Sequence, residues 1–373
     1  MTAGGRTRVL IVDDSAVMRS LLRSVVNSDG GLEVAGTAAE GASALNLLAV
    51  ERPDIVLLDV EMPVMDGLVT LRQLRTLGHK MPVIMCSALT QRGAKATIEA
   101  LAGGASDYVA KPSGQAIRED AIRALAQELI PKIHALTHAL TGDPRCQSIF
   151  PAARRLAPLL ESPLPGVQPP PAVTPAVVVI GVSTGGPAAL DVLLPELPAN
   201  FPLPVLIVQH MPEVFTRLFA ERLSRLCPLQ VYEAWEGAPA SQGTIYIARG
   251  NWHMEMLAAA RADSPPTIHL NQDPPENHCR PAVDALFRSA AKVYGSAVLA
   301  VVLTGMGFDG LAGCCIVRGR GGSVLTQDQA SSTVWGMPGA VAKAGLAHKV
   351  LPLAAIAPEI LRIAARAPAG KAV

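Results

Sequence analysis

Aromatic residues are scarce: they make up 3% of the 373 residues, against 50% apolar residues overall. Any core must therefore be built mainly from Val, Leu, Ile and Ala. The chain has no run of five or more Lys and Arg, and its net charge is only +1. Binding to nucleic acid or to acidic lipid surfaces is therefore not expected. There is no CxxC pair. The six cysteines, Cys86, Cys146, Cys227, Cys279, Cys314 and Cys315, are irregularly spaced. That spacing disfavours a disulfide framework or a zinc site and favours a reducing compartment. No apolar stretch approaches the ~20 residues of a membrane span. The opening MTAGGRTRVLIVDDS reaches Asp13 and Asp14 after a short apolar run, unlike a secretory signal. A soluble, monomeric cytoplasmic protein is the expectation. At roughly 100–200 residues per domain, the length allows two or three domains.

What is present is a repeated alternation of short apolar runs and helical patterns. In the first third, Arg8–Val12, Leu32–Gly36, Asp54–Leu58, Pro82–Cys86 and Asp107–Ala110 read as strands, with helical spacing at Val17–Val26 and Gly41–Val50. Continuous apolar strands between helices imply a parallel sheet covered on both faces. Residues 113–138 read as helix. Between 142 and 175 the prolines Pro144, Pro151, Pro158, Pro163, Pro165 and Pro169–Pro171 remove donors and break any packed element. A second α/β pattern starts at 176, with strands expected at Val177–Ile180, Val205–Val208, Gly243–Ala248, Thr267–Leu270, Ala297–Leu303 and Gly322–Thr326, helices at Glu213–Leu226 and Ala282–Tyr294, and a helical tail to about Ala365. The expected fold is α/β: two doubly wound parallel-sheet domains, over residues 6–125 and 175–367, joined by a helix end and proline-rich linker at 126–174. In such folds sites lie beyond the carboxyl ends of the strands.

In the first lobe those ends carry charge. Asp13 and Asp14 follow the first strand and Asp59 follows the third. Three carboxylates gathered at one edge call for a cation, and hard oxygen ligands suit Mg²⁺. Ser87 and Lys111 follow the fourth and fifth strands, a hydroxyl and a cation suited to phosphate. Asp59 can then accept a phosphoryl group while Mg²⁺ and Lys111 offset its charge. Any one acid alone is an ordinary loop residue; the combination at four strand ends is what points to chemistry. The stretches LIVDDS, LLDVEMPVMDG, CSA and YVAKP resemble a response-regulator receiver domain over about the first third of the chain. The resemblance implies a flavodoxin-like fold, Asp59 as phosphoacceptor, Asp13 and Asp14 as metal-side acids, Ser87 and Lys111 as phosphate contacts, and Tyr108 as the candidate switch aromatic, for which a core tyrosine is the plain alternative. A cis Lys111–Pro112 bond is also expected.

In the second lobe, GVSTGGP at 181–187 follows an apolar strand. Gly181–Gly185 fits G-x-S-x-G between strand and helix, as a nucleophile turn requires. A serine in such a turn is also a common cap or phosphate contact. Phosphate cradling is disfavoured, since G-x-x-x-x-G-K-[ST] and G-x-G-x-x-G are both lacking. A nucleophilic Ser183 needs a base. His210, in VQHMP, follows another strand; His253 and His278, in loop-like segments, are rivals. An acid must orient the base, and Asp309 in LTGMGFDG follows a third strand. Backbone N–H groups near Thr184 or Met306 are oxyanion candidates. The order Ser, His, Asp differs from the Ser, acid, His order of α/β-hydrolases.

The stretches IGVSTGGP, VQHMP, FTRLFAERL, RPAVDALFRSAA, LTGMGFDG and WGMPGAV resemble the catalytic domain of the protein-glutamate methylesterases of bacterial chemotaxis, across roughly 176–366. With the receiver in front, the whole architecture resembles that family. The resemblance implies hydrolysis of glutamate γ-methyl esters on chemoreceptors, glutamine deamidation by the same acyl chemistry, a chemotaxis histidine kinase as phosphodonor, and no cofactor in the catalytic domain. Control by occlusion is implied too: the unphosphorylated receiver covers the active-site edge. Cys279 stands where a basic or His residue is usual, and Trp252 where a charged one is. A DNA-binding output would need a basic recognition helix after the linker, and none is seen; a non-catalytic scaffold is the other rival. Among lesser features, His134 and His138 share a helix face without a third metal ligand, Cys314 and Cys315 read as packing residues, and the amphipathic Phe215–Leu226 offers Arg217 and Arg222 to an acidic partner surface.

Overall fold

The computed structural model describes residues 5–112, 118–141, 173–259, 261 and 264–365. The proline-rich stretch and Cys146 lie outside them. The chain divides into two compact units, Met1–Cys146 and Gln147–Val373.

The first unit runs β1 (Thr7–Val12), α1 (Ala16–Asn27), β2 (Leu32–Ala38), α2 (Gly41–Glu51), β3 (Ile55–Asp59), α3 (Gly67–Thr76), β4 (Val83–Ser87), α4 (Gln91–Ala102), β5 (Asp107–Ala110) and α5 (Arg118–Thr141). The sheet order is β2-β1-β3-β4-β5, all parallel. β3 and β4 are buried along their whole length, which is why they read as unbroken apolar runs. Side chains cap the starts of α1, α3 and α4: Ser15, Asp66 and Thr90 accept from the amides of Met18, Val69 and Gly93. In α1 the residues Leu21, Leu22, Val25 and Val26 form the buried stripe. The strand order reverses between β1 and β3, so their carboxyl ends form the crevice.

The second unit runs β6 (Val177–Val182), α6 (Gly186–Leu193), β7 (Val205–Gln209), α7 (Glu213–Leu226), β8 (Gln230–Glu233), β9 (Thr244–Ile247), β10 (His253–Leu257), β11 (Thr267–Asn271), α8 (Val283–Tyr294), β12 (Val298–Val302), α9 (Leu311–Gly319), β13 (Ser323–Gln327), α10 (Met337–Lys343), β14 (Lys349–Leu351) and α11 (Leu353–Ala364). Seven strands form a parallel sheet in the order β14-β13-β12-β6-β7-β9-β8. The switch point lies between β12 and β6. The aliphatic strands of its centre are fully buried, yet four of the six phenylalanines, Phe201, Phe215, Phe219 and Phe287, also lie fully buried in this unit.

Two expectations change. Thr267–Leu270 does not join the parallel sheet: β11 pairs antiparallel with β10 in a separate two-stranded sheet. Its alternating burial shows why, since a hairpin can leave one face to solvent. His253 therefore sits on a strand, not in a loop. Lys111–Pro112 is trans; Arg280–Pro281 is the cis bond among the described residues. The trans backbone already serves Lys111, whose N–H donates to Ser87 O at 2.8 Å while its ammonium reaches the β1 and β3 ends.

Candidate functional site

At the crevice of the first unit, Lys111 Nζ lies 2.8 Å from Asp13 Oδ2 and 2.7 Å from Asp59 Oδ1. Asp13 and Asp59 are buried, Asp14 is exposed, and carboxylate oxygens of all three come within 4.8 Å of one another. Burial raises the Asp59 pKa and Asp13 adds to the rise, while Lys111 opposes it. Burial alone would lower the Lys111 pKa, but its two carboxylate partners outweigh it and hold it above the ordinary value. The oxygen donors fit a hard divalent cation such as Mg²⁺. Ser87 is buried and its hydroxyl donates to Ala88 O at 3.2 Å. Tyr108 points inward, 5% exposed, with Lys132 Nζ 5.1 Å from its ring centroid and donating to its carbonyl.

In the second unit, Ser183 occupies the turn after β6. Its N–H donates to Thr304 O at 3.0 Å, and its carbonyl accepts from Gly186 N at 2.8 Å and from Gln209 Nε2 at 3.0 Å. Gly185 has φ 77°, and a Cβ there would meet Thr333 Oγ1 at 2.4 Å, so the turn demands glycine. On the other side of the switch point the β12–α9 loop closes on Ser183: a Cβ on Gly305 would fall 2.9 Å from Ser183 Cβ. This loop carries Met306 and Asp309, and the Thr304 hydroxyl pins it to Thr184 O at 2.9 Å.

His210 follows β7, and its Nε2 lies 2.9 Å from Asp309 Oδ2. Asp309 is 2% exposed yet saturated with donors: Val283 N and His210 at Oδ2, and Asn277 Nδ2, Asp284 N and Gly310 N at Oδ1. Burial works against its charge, but His210 and the backbone amides prevail and keep its pKa below the ordinary value. An ionised carboxylate can only accept, so Nε2 of His210 carries a proton, and in the neutral ring the lone pair is on Nδ1. Nδ1 faces the Cys279 sulfur at 3.6 Å. Burial opposes protonation of His210, but Cys279 and Asp309 together push its pKa up. Among the described residues the Ser183 hydroxyl makes no hydrogen bond with His210, whose two nitrogens face Asp309 and Cys279. In unliganded sites such bonds often close only when substrate binds.

The rival histidines are elsewhere. His253 is buried with both ring nitrogens engaged, by Pro274 O and by the N–H of Ala282. His278 is exposed with φ 65°. Arg222 is tied to Asp191, while Arg217, paired with Glu221 at 3.1 Å, is exposed. His134 pairs with Asp29 at 3.1 Å, and the side chain of His138 lies outside the described residues. Cys314 is fully buried, as packing requires, and Cys315 packs partly on the same core. Trp252 stacks under Arg249 at 5.6 Å.

Asn277 has no signature in the sequence. Its Nδ2 bridges Asp309 Oδ1 at 3.0 Å and Asp284 Oδ2 at 2.9 Å. Burial, and then the charge of Asp309, push Asp284 up to about 7, so this amide separates two crowded carboxyls. Asn277 has φ 52°, so glycine keeps the backbone while deleting the amide. Asn277→Gly is expected to cost roughly 1–3 kcal/mol, the penalty for orphaned buried polar groups, as a lowered thermal midpoint with reduced turnover.

Residues 178–360 match the family described as CheB methylesterase, and residues 9–123 match the response regulator receiver domain. A protein-glutamate methylesterase/protein-glutamine glutaminase of Nocardioides sp. is 49% identical over 359 residues, covering 96% of each chain. Proteins of the same name from Trichodesmium erythraeum and Azospirillum brasilense are 47% and 43% identical, covering 95% and 98% of this chain and 98% and 94% of their own. No helix among the described residues is long and apolar enough to cross a membrane.

Proposed function

The chain belongs to the CheB methylesterase family, with a receiver domain ahead of the catalytic domain, and on that premise we propose that Ser183, His210 and Asp309 carry its chemistry. It is a protein-glutamate methylesterase and protein-glutamine glutaminase serving chemotactic adaptation. The observation that carries the residue assignment is the 2.9 Å contact between His210 and the ionised Asp309, beside a glycine-shaped turn bearing Ser183.

Ser183 Oγ attacks the γ-carbonyl carbon of a receptor glutamate methyl ester, and its proton passes to His210 Nδ1. Asp309 stabilises the imidazolium. The backbone N–H groups of Thr184 and Met306 receive the oxyanion. The bond between the γ-carbon and the methoxy oxygen then breaks, and that oxygen takes the proton from Nδ1 and departs as methanol. Water then gives a proton to Nδ1 and attacks the acyl-enzyme, releasing glutamate and restoring Ser183. With glutamine the same steps release ammonia. Conversion of His210 to glutamine is expected to abolish turnover. His253→Gln should lower the thermal midpoint and leave catalysis largely intact; the reverse pattern, read by methanol release, would move the base to His253.

In the receiver, Asp59 is the phosphoacceptor and a chemotaxis histidine kinase its donor. Asp13, Asp14 and Asp59 would hold Mg²⁺, which neutralises phosphoryl charge when bound. Lys111 and Ser87 contact the phosphoryl oxygens, and Tyr108 is the switch aromatic. The protein works as a cytoplasmic monomer on chemoreceptors, without nucleic acid, membrane insertion or a catalytic-domain cofactor. Phosphorylation shifts the population toward the active form. Methanol release from methylated receptor membranes, with a small phosphodonor and Mg²⁺, should rise several-fold for wild type and not at all for Asp59→Ala. Equal activation of both would remove Asp59 as the trigger.

A further inference from the structure

The acyl chemistry leaves Cys279 without a task, yet the fold holds it against His210. The Glu276–Cys279 turn is closed by backbone bonds in both directions, at 3.1 and 2.8 Å. Arg288 holds Glu276 at 3.0 and 2.6 Å, and Asn277 fastens the turn to Asp309 and Asp284. The half-buried sulfur is thereby fixed 3.6 Å from His210 Nδ1, the nitrogen that Asp309 does not occupy.

A sulfur and an imidazole nitrogen at that separation match one edge of a tetrahedral zinc site. Bond lengths of about 2.3 Å to sulfur and 2.0–2.1 Å to nitrogen place the two ligands about 3.5 Å apart. Asp309 supplies the further element such sites use, a carboxylate on the far ring nitrogen that fixes the tautomer and raises ligand basicity. With five donors already bound, it acts behind the ring and leaves the metal to sulfur and nitrogen. The other coordination positions fall to water or substrate oxygen. The receiver carboxylates form a hard, all-oxygen set, so sulfur and nitrogen select for a different metal.

We propose that Cys279 and His210 form a binding site for a thiophilic divalent cation, Zn²⁺ foremost, and that its occupation arrests ester hydrolysis by engaging the lone pair that Ser183 needs. Binding exchanges the thiol proton for the metal and moves no electrons. The site itself rests on geometry; the arrest rests on His210 being the base.

The full-length protein, carrying Asp59→Ala to remove one receiver carboxylate, is titrated with ZnCl₂ and with CoCl₂ in Mg²⁺ buffer. Zinc is expected to suppress basal methanol release reversibly, with recovery on chelation. Cobalt is expected to give a thiolate-to-metal charge-transfer band. Cys279→Ser should raise the zinc needed for half-inhibition by at least about 10–100-fold, the loss seen when even an outer-shell partner is removed, and should abolish the band. Cys279→Ala is tested in parallel, so that poor folding of one variant does not decide the result. A missing band, or a band that survives both Cys279 substitutions, overturns the site. A Cys279-dependent band with undiminished hydrolysis keeps the site and overturns His210 as the base.

Discussion

Ser183→Ala is expected to reduce methanol release from methylated receptor membranes by about 10⁶-fold, the scale on which loss of a nucleophile acts in serine hydrolases. The fold should not notice. The backbone of Ser183, not its side chain, joins the turn to its surroundings, through Thr304 O, Gly186 N and Gln209 Nε2. Alanine keeps all three bonds and deletes only a hydroxyl. Thermal unfolding should therefore match wild type, and phosphodonor labelling of Asp59 should be unchanged, since that chemistry uses the other unit. Trapping should agree: rapid quenching of wild type with methylated receptor yields a covalent adduct on Ser183, and the variant yields none. Full hydrolysis by the variant would reduce Ser183 to a turn residue and return the second unit to the class of binding modules.

The long buried strands were legible because they are covered on both faces. Val177–Val182 and Val298–Val302 are unbroken apolar runs, and the period needs no interpretation. Gln230–Glu233 and Lys349–Leu351 were not read as strands: they lie at the two sheet edges, are only four and three residues long, and neither is an unbroken buried apolar run. His253–Leu257 escaped for a related reason, being half of a hairpin outside the main sheet. At the site, Ser183, His210 and Asp309 were legible because each follows a parallel strand, and β12, β6 and β7 are neighbours. Asn277 was not, because its contact with Asp309 depends on a left-handed turn between β11 and α8 that no spacing signals. Cys279 was visible only as a departure from the family pattern. Its contact with His210 is a tertiary fact.

Asp309→Asn is expected to lower kcat by about 10⁴-fold with little change in KM, the effect of reversing the tautomer of a catalytic histidine. The hydrogen bonds around Asp309 decide which way the new amide turns. If its NH₂ replaced Oδ1, it would face three donors, Asn277 Nδ2, Asp284 N and Gly310 N. If it replaced Oδ2, it would face Val283 N and His210, and the imidazole can accommodate it by moving a proton. Each buried donor left without an acceptor costs roughly 1–3 kcal/mol, so the second orientation wins by about two such penalties. Nε2 must then accept, Nδ1 carries the proton, and the lone pair that should take the Ser183 proton is gone. Loss of the carboxylate also removes one of the groups that raise the His210 pKa. The acid limb of kcat/KM should therefore move to lower pH as the maximum rate collapses. A purely structural Asp309 would predict something else: lowered thermal stability, near-normal turnover in the folded fraction, and an unmoved pH profile. Turnover within tenfold of wild type, normalised to folded protein, would assign the orienting role to another acid, with Asp284, bonded to the same Asn277 amide, the next to test.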